Sequence, residues 1–329
     1  MVNTGATLRR DLMELMTEME VSELGLVADK IAPPLSVATK ADSYPVLPRE
    51  AVMKVPDTHR APDGSFSRGQ WSWGSKSYFC EFFGHEEDLD TVHAKENKIW
   101  INEEEITAKL AVSGIKLGRE SRVATAVYNP ITFTGTNNLL SLSKEWDDAS
   151  NATPYEDIVV KVWQGKLRPK CGLPLSMFSL IMSDDLLRYA VRTNQIKNSL
   201  LYTNPVEHMT VDQQKEMLRN FLGVKEIVLV ASMYDMAGVT QDASIAKFWS
   251  NEYMMLAKLS SGVNSFKERC FARQPVYSEF PEDVAIESYP EPQRKRIVYQ
   301  AYEYRGITIN TDYAVLIDNC KETVGATGV

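Results

Sequence analysis

The chain is poor in the residues that most metal and redox chemistry needs. Its 329 residues include only four histidines and four cysteines. Cys80, Cys171, Cys270 and Cys320 form no CxxC and no paired spacing, so neither a disulfide framework nor a zinc ribbon is expected. His85, Asp88, Asp90 and His93 come nearest to a ligand set, but helical register does not bring all four to one face, and a solvated acidic turn is the expected reading. No GxGxxG follows a strand, and GxxxxGKS/T, HExxH and GxSxG are all missing. Asp147-Asp148 and Asp184-Asp185 sit beside helix starts, where turn and cap roles account for them. The sequon Asn151-Ala152-Thr153 uses a threonine wanted as a helix cap. No catalytic residue, cofactor or metal is therefore expected.

A basic surplus is also missing. Thirty-six Lys and Arg stand against 44 Asp and Glu, a net charge of −8, which argues against a protein that grips nucleic acid. Arg294-Lys295-Arg296 is read as a solvated strand edge. An acidic inner wall would suit enclosure instead, because a polyanion would not stick to it. The longest apolar run, Ile227 to Ser232, is too short to cross a membrane, and Arg9, Arg10, Asp11 and Glu14 leave no apolar core for a signal peptide.

What is present is organisation. Hydrophobic residues make up 44% of the chain and charged ones 24%, enough for a sizeable core. Leu8, Leu12, Leu15 and Met19 recur at helical spacing ahead of Pro33-Pro34, as a terminal helix packed on its own domain or as an arm reaching a neighbouring subunit. Two strand-like runs, Glu50–Val55 and Ser77–Phe83, flank roughly twenty polar residues that nevertheless carry Phe66, Trp71 and Trp73. A two-stranded ribbon cannot bury two tryptophans by itself, so it is expected to lie over another molecule. A long helix follows. Asn102 and Glu105 fit a cap and its N3 partner, Glu103–Glu105 suit the positive end of the dipole, and Lys116, Arg119 and Arg122 crowd the other end. Ile106, Leu110, Leu117 and Ala124 predict its buried stripe, while Gly114 and Gly118 let it bend or admit a close neighbour.

Thr153-Pro154-Tyr155-Glu156 opens a helix that carries Ile158, Val162 and Trp163 inward and stops near Gly165. Met177–Met182 and Val224–Ser232 read as strands, and Ser183 and Thr210 as helix caps, giving an α/β lobe over about 151–274. Ile297–Tyr304 and Ile307–Ile309 flank Arg305-Gly306 as a hairpin, and Tyr313–Ile317 is a last strand. Such returning strands would pack beside the long helix.

In this order, several segments carry a resemblance. They are Ala32-Pro33-Pro34-Leu35-Ser36-Val37, Gly118-Arg119-Glu120-Ser121-Arg122-Val123-Ala124, Trp146-Asp147-Asp148-Ala149-Ser150 before Pro154-Tyr155-Glu156-Asp157-Ile158, and Leu222 to Val230 followed by Tyr234-Asp235-Met236-Ala237 and Phe248-Trp249. Over nearly its whole length the chain resembles the major capsid proteins of tailed bacteriophages, the Hong Kong 97-type fold. The resemblance implies an α+β fold with an N-terminal arm (1–45), an extended β-hairpin loop (46–95), a peripheral domain on a spine helix (96–150), an α/β axial domain (151–274) and return strands of the peripheral domain (275–329). It also implies a structural protein without enzymatic activity that self-assembles into pentamers and hexamers of an icosahedral head shell. That shell encloses double-stranded DNA, lies in the virion, is assembled in the host cytoplasm and has no membrane.

Leu8, Leu12, Leu15, Phe66, Trp71 and Trp73 are the expected inter-subunit contacts. A portal, a decoration protein and a separate scaffolding protein are the further partners, because only some forty residues precede the extended loop. Some members cross-link lysine to asparagine between subunits. Lys54 and Lys76 stand where the lysine would, but no asparagine and acid match, so no cross-link is carried over. A cellular compartment shell of the same fold, and an α/β enzyme centred on 151–274, are the alternatives.

Overall fold

The structure is a computed structural model that describes residues 7–8, 25–47, 53–60, 62, 64–69, 72–97, 103–199, 209–237, 242, 244–263, 265–279 and 283–321. Strand β1 (Thr7–Leu8) is extended where the leucine spacing predicts helix, and Leu12 and Leu15 lie outside the described residues. Helix α1 (Ala28–Ile31) is ended by Pro33-Pro34, and strand β2 (Pro34–Val37) buries Leu35 and Val37 in alternation.

A ribbon is present, but one strand is displaced from its expected place. Strand β3 (Ala41–Val46) pairs antiparallel with β4 (Gly74–Phe79), Ala41 opposite Phe79 and Val46 opposite Gly74. Residues 41–46 form the strand, with Tyr44 stacked on Phe266, ring centroids 4.3 Å apart, while Met53 and Val55 of the expected run are exposed and its residues 50–52 lie outside the described residues. Strand β5 (Glu81–Asp90) replaces the expected acidic turn. It is held by ten consecutive residues of a strand two hundred positions away, and its alternation sends His85 and Asp88 to opposite faces. His93 lies on helix α2 (Thr91–Asn97), and among the described residues no group of His, Cys, Asp or Glu is placed to hold a metal.

Helix α3 (Glu103–Val127) runs unbroken for 25 residues, about 37 Å at 1.5 Å per residue. Of the expected stripe only Ala124 is buried, Leu117 is half-buried, and the buried face otherwise lies on other residues. Ala108, Ala111, Val112, Ile115, Val123 and Val127 are buried, while Ile106 and Leu110 are 46% and 54% exposed. The reason is how closely the sheet approaches: Ala108, Ala111 and Gly114 give it a low surface to lie on, and the larger side chains turn outward. Nor do Arg119 and Arg122 serve the helix end, which lies a turn or more beyond them.

Strand β6 (Leu139–Ser141) leads to helix α4, which is wound i→i+5 over Glu156–Leu167 and α-helical over Arg168–Cys171. It passes Gly165 and ends under Gly172, whose φ of +66° needs a residue without Cβ. Then come β7 (Ser179–Ser183), α5 (Asp184–Arg192), α6 (Asn194–Ser199), α7 (Val211–Leu222) and β8 (Glu226–Val230). Two of the expected caps form: Ser183 Oγ accepts from the Leu186 amide at 3.3 Å, and Thr210 and Gln213 make a reciprocal capping box. The helix over Glu156–Leu167 has no side-chain cap, contrary to the role expected of Thr153, and Asn102 lies outside the described residues. The remaining strands are β9 (Met233–Asp235), β10 (Ile245–Lys247), β11 (Met254–Ala257), β12 (Ala272–Tyr277), β13 (Ala285–Glu291), β14 (Arg296–Arg305), β15 (Thr308–Ile309) and β16 (Ala314–Asp318).

Two sheets organise these elements. In the lobe the order is β6-β16-β11-β7-β8. Leu180, Met182, Ile227, Leu256 and Ile317 face α4, α5 and α7 from it, while Ile181, Val228, Met255 and Leu316 face Val123, Val127, Phe133 and Trp249 on the other side. In the other sheet β14 lies between β5 and β13, and β1 edges β13. Leu89, Ile286, Tyr299 and Ala301 of this sheet pack under α3. Arg305-Gly306 is not a hairpin turn, because β14 pairs with β5 and β13 while β15 pairs with β12. The return segment also divides: β14 lies on the long helix as expected, but β16 inserts into the lobe sheet beside β11.

Candidate assembly surfaces and the buried polar seam

The described part of the segment between β3 and β4 carries local bonds. Ser67 Oγ donates to the Asp57 carbonyl at 2.6 Å, Arg60 Nε donates to the Gly64 carbonyl at 2.6 Å, and the Arg60 guanidinium lies 4.9 Å from the centre of the Phe66 ring. Phe66 is nevertheless 74% exposed and Trp73 65% exposed, with Met53 and Val55 open beside them in sequence. Trp71 lies outside the described residues, and β1 places Leu8 on the edge of β13. Sequence reasoning missed the second apolar surface, Ile106 and Leu110 on α3, because helical spacing alone assigns them to the core. Large exposed apolar side chains such as these are candidates for a contact surface.

The root of the ribbon is fixed by aromatic stacking. Phe266 lies between Tyr44 and Tyr78, at 4.3 and 5.3 Å. Lys76 Nζ donates to Asn310 Oδ1 at 2.8 Å and lies 3.9 Å from Asp312, so this lysine meets an asparagine and an acid of its own chain. Nearby, burial would raise the Glu268 carboxyl, but hydrogen bonds from Ser260 and Ser261 and the charge of Arg273 outweigh that and hold its pKa down to about 2.

The Gly118–Ala124 motif forms a buried seam between the parts. Arg119 donates to Glu303 from Nε at 3.0 Å and Nη2 at 2.5 Å, and from Nη1 to Asp29 at 2.8 Å. Arg122 and Arg305 also reach Glu303, and Asp283 pairs with both Arg119 and Arg305. Three guanidiniums thus face three carboxylates drawn from α1, β14 and the approach to β13. Burial opposes the Arg119 charge, but Glu303, Asp29 and Asp283 overcome it and keep its pKa above the usual guanidinium value. Asp283 is likewise raised by burial, yet Arg119 and Arg305 bring it below the ordinary carboxylate range. Arg119, Arg305 and Glu303 are buried in this group while Asp29 and Asp283 stay half-exposed, so loss of Glu303 would cost the most.

Neither a protein-family model nor a curated protein matches the sequence. Solved structures do match it. A phage-related protein from Bordetella bronchiseptica RB50 superposes with a TM-score of 0.68 at 16% identity, covering 95% of this chain and 98% of that one. The capsid of cyanophage P-SCSP1u gives a TM-score of 0.53 at 7% identity over 88% of this chain and 86% of that one. The mature capsid of bacteriophage PhiM1 gives 0.53 at 11% identity, again over 88% and 86%. The fold is therefore the α+β capsid fold of the Hong Kong 97 type that the resemblance implied.

Proposed function

We propose that this chain is a structural major capsid protein whose copies associate into five- and six-membered rings and close an icosahedral shell around double-stranded DNA. The observation that carries the reading is the pair of exposed apolar surfaces on one chain with the capsid fold: the ribbon with Met53, Val55, Phe66 and Trp73, and Ile106 with Leu110 on the long helix. Two different surfaces that fit each other make a heterologous contact, which closes into rings by rotation. The ribbon of one copy lying over the long helix of the next buries both, and the net charge of −8 suits a wall that encloses a polyanion without adhering to it. A separate scaffolding protein and a portal complete the assembly on this reading, and its site of action is the virion.

Sedimentation velocity of the chain and of the double variant Ile106→Asp with Leu110→Asp tests this. The parent chain forms rings or shells, and the variant stays a folded monomer with an unchanged circular dichroism spectrum. A variant that assembles like its parent overturns the proposed contact.

A further inference from the structure

One carboxylate holds two distant parts of the molecule. Glu120 is fully buried on α3 and accepts four hydrogen bonds, two at each oxygen. Oε2 takes the amides of Val27 and Ala28, at 3.0 and 2.8 Å, where the N-terminal segment enters α1. Oε1 takes Ser232 Oγ at 3.0 Å and the Trp249 indole N–H at 2.6 Å. Those two residues flank the β9–β10 ribbon, one directly before Met233 and one two positions after Lys247, and the Phe248 amide closes the base by donating to the Ser232 carbonyl at 3.2 Å. The ribbon itself exposes Met233, Met236 and Ile245.

Among the described residues Glu120 enters no ion pair, and these four donors meet its carboxylate. A buried carboxylate in that position depends on every donor, since losing one leaves the others to bear its desolvation. We propose that Glu120 is a coupling residue. The β9–β10 ribbon and the exit of the N-terminal segment share its carboxylate, so a contact that shifts the base of the ribbon loosens or tightens the hold on Val27 and Ala28. The coupling is a property of the single chain and does not depend on the capsid reading. In a ring of copies it would carry the state of one surface to another.

Amide hydrogen exchange on the full chain tests it, with Ser232→Ala as the variant because it removes one donor and leaves Trp249 packed. Hydrogen bonds to a charged group are strong enough that exchange at Val27 and Ala28 is expected to quicken about tenfold, while Met255 and Leu256 in the lobe sheet keep their protection. Glu120→Gln supplies the second arm. An amide turns its NH2 toward one pair of donors, so that variant should either quicken the same two amides or shift the Trp249 indole resonance. Unchanged exchange at Val27 and Ala28 in Ser232→Ala overturns the coupling. So does a speed-up spread equally over the lobe sheet, which would mark a general loss of stability.

Discussion

Gly306 lies so close to Phe79 that a methyl group on its Cα would overlap the Phe79 carbonyl oxygen. The Gly306 amide donates to the Pro275 carbonyl of β12 at 2.9 Å, so this residue, directly after β14, is pinned between β12 and the junction of β4 with β5. Here glycine is required by a close approach rather than by its dihedral angles. Gly306→Ala must push the β4–β5 junction away and tilt the root of the ribbon. A loss of about 1–3 kcal/mol is expected from such overpacking, read as a lower midpoint in urea with an unchanged slope. A midpoint equal to that of the parent would show that the backbone yields freely there.

The two glycines of the long helix should behave differently from each other. A Cβ on Gly114 would come within 2.5 Å of the His85 ring, whereas one on Gly118 meets only the Arg122 guanidinium at 3.2 Å. Gly118→Ala should therefore gain up to ~1 kcal/mol from helix propensity. Gly114→Ala should gain less or lose, because His85 must turn aside. If the helix also bends during assembly, the double variant folds well yet yields misshapen particles, as seen by negative-stain microscopy. Normal particles would remove the bending role and leave the close-packing role standing.

Much of this was legible in the sequence, and the failures share a cause. The caps at Ser183 and Thr210, the strand near Val224 and the extent of α3 depend on neighbours within a few residues, so local chemistry reveals them. The strand at Glu81–Asp90 exists because β14 lies across it, and the outward turn of Ile106 and Leu110 follows from a sheet that packs on Ala108 and Ala111. Neither fact is written within twenty residues of its site. The same holds for Arg305-Gly306, whose turn-like pair is used for a close contact. The exposure of Phe66 and Trp73 could be read from a polar segment that had no core of its own. The Glu120 and Arg119 seam was visible only as part of a motif.

Acid should weaken the fold through two carboxyls. Glu268 has its pKa lowered to about 2, and Asp283 is also lowered, so each contributes stability that is complete above the ordinary carboxylate pKa and fades as pH falls toward the folded-state value. Unfolding measured from pH 5 down to pH 2.5 should show stability falling steadily. In Glu268→Gln that slope should be shallower, with lower stability at pH 6. An identical slope in parent and variant would mean that Ser260, Ser261 and Arg273 do not hold the charge.

The ribbon's aromatics should matter to assembly and little to folding. Phe66 and Trp73 are largely exposed in the isolated chain, so Phe66→Ser with Trp73→Ser should change its unfolding free energy by no more than surface changes usually do, about 0.5 kcal/mol each. Particle yield should fall severely. Equal losses of stability and yield would place these side chains in the folded core instead.

Electron cryo-microscopy of the expressed chain is the most direct test of the proposed shell. The account predicts closed particles with five- and six-membered rings, in which the Phe66–Trp73 segment of one copy lies over Ile106 and Leu110 of the next. A lone 37.1 kDa species under every condition, or rings in which those two surfaces both stay open to solvent, would contradict it.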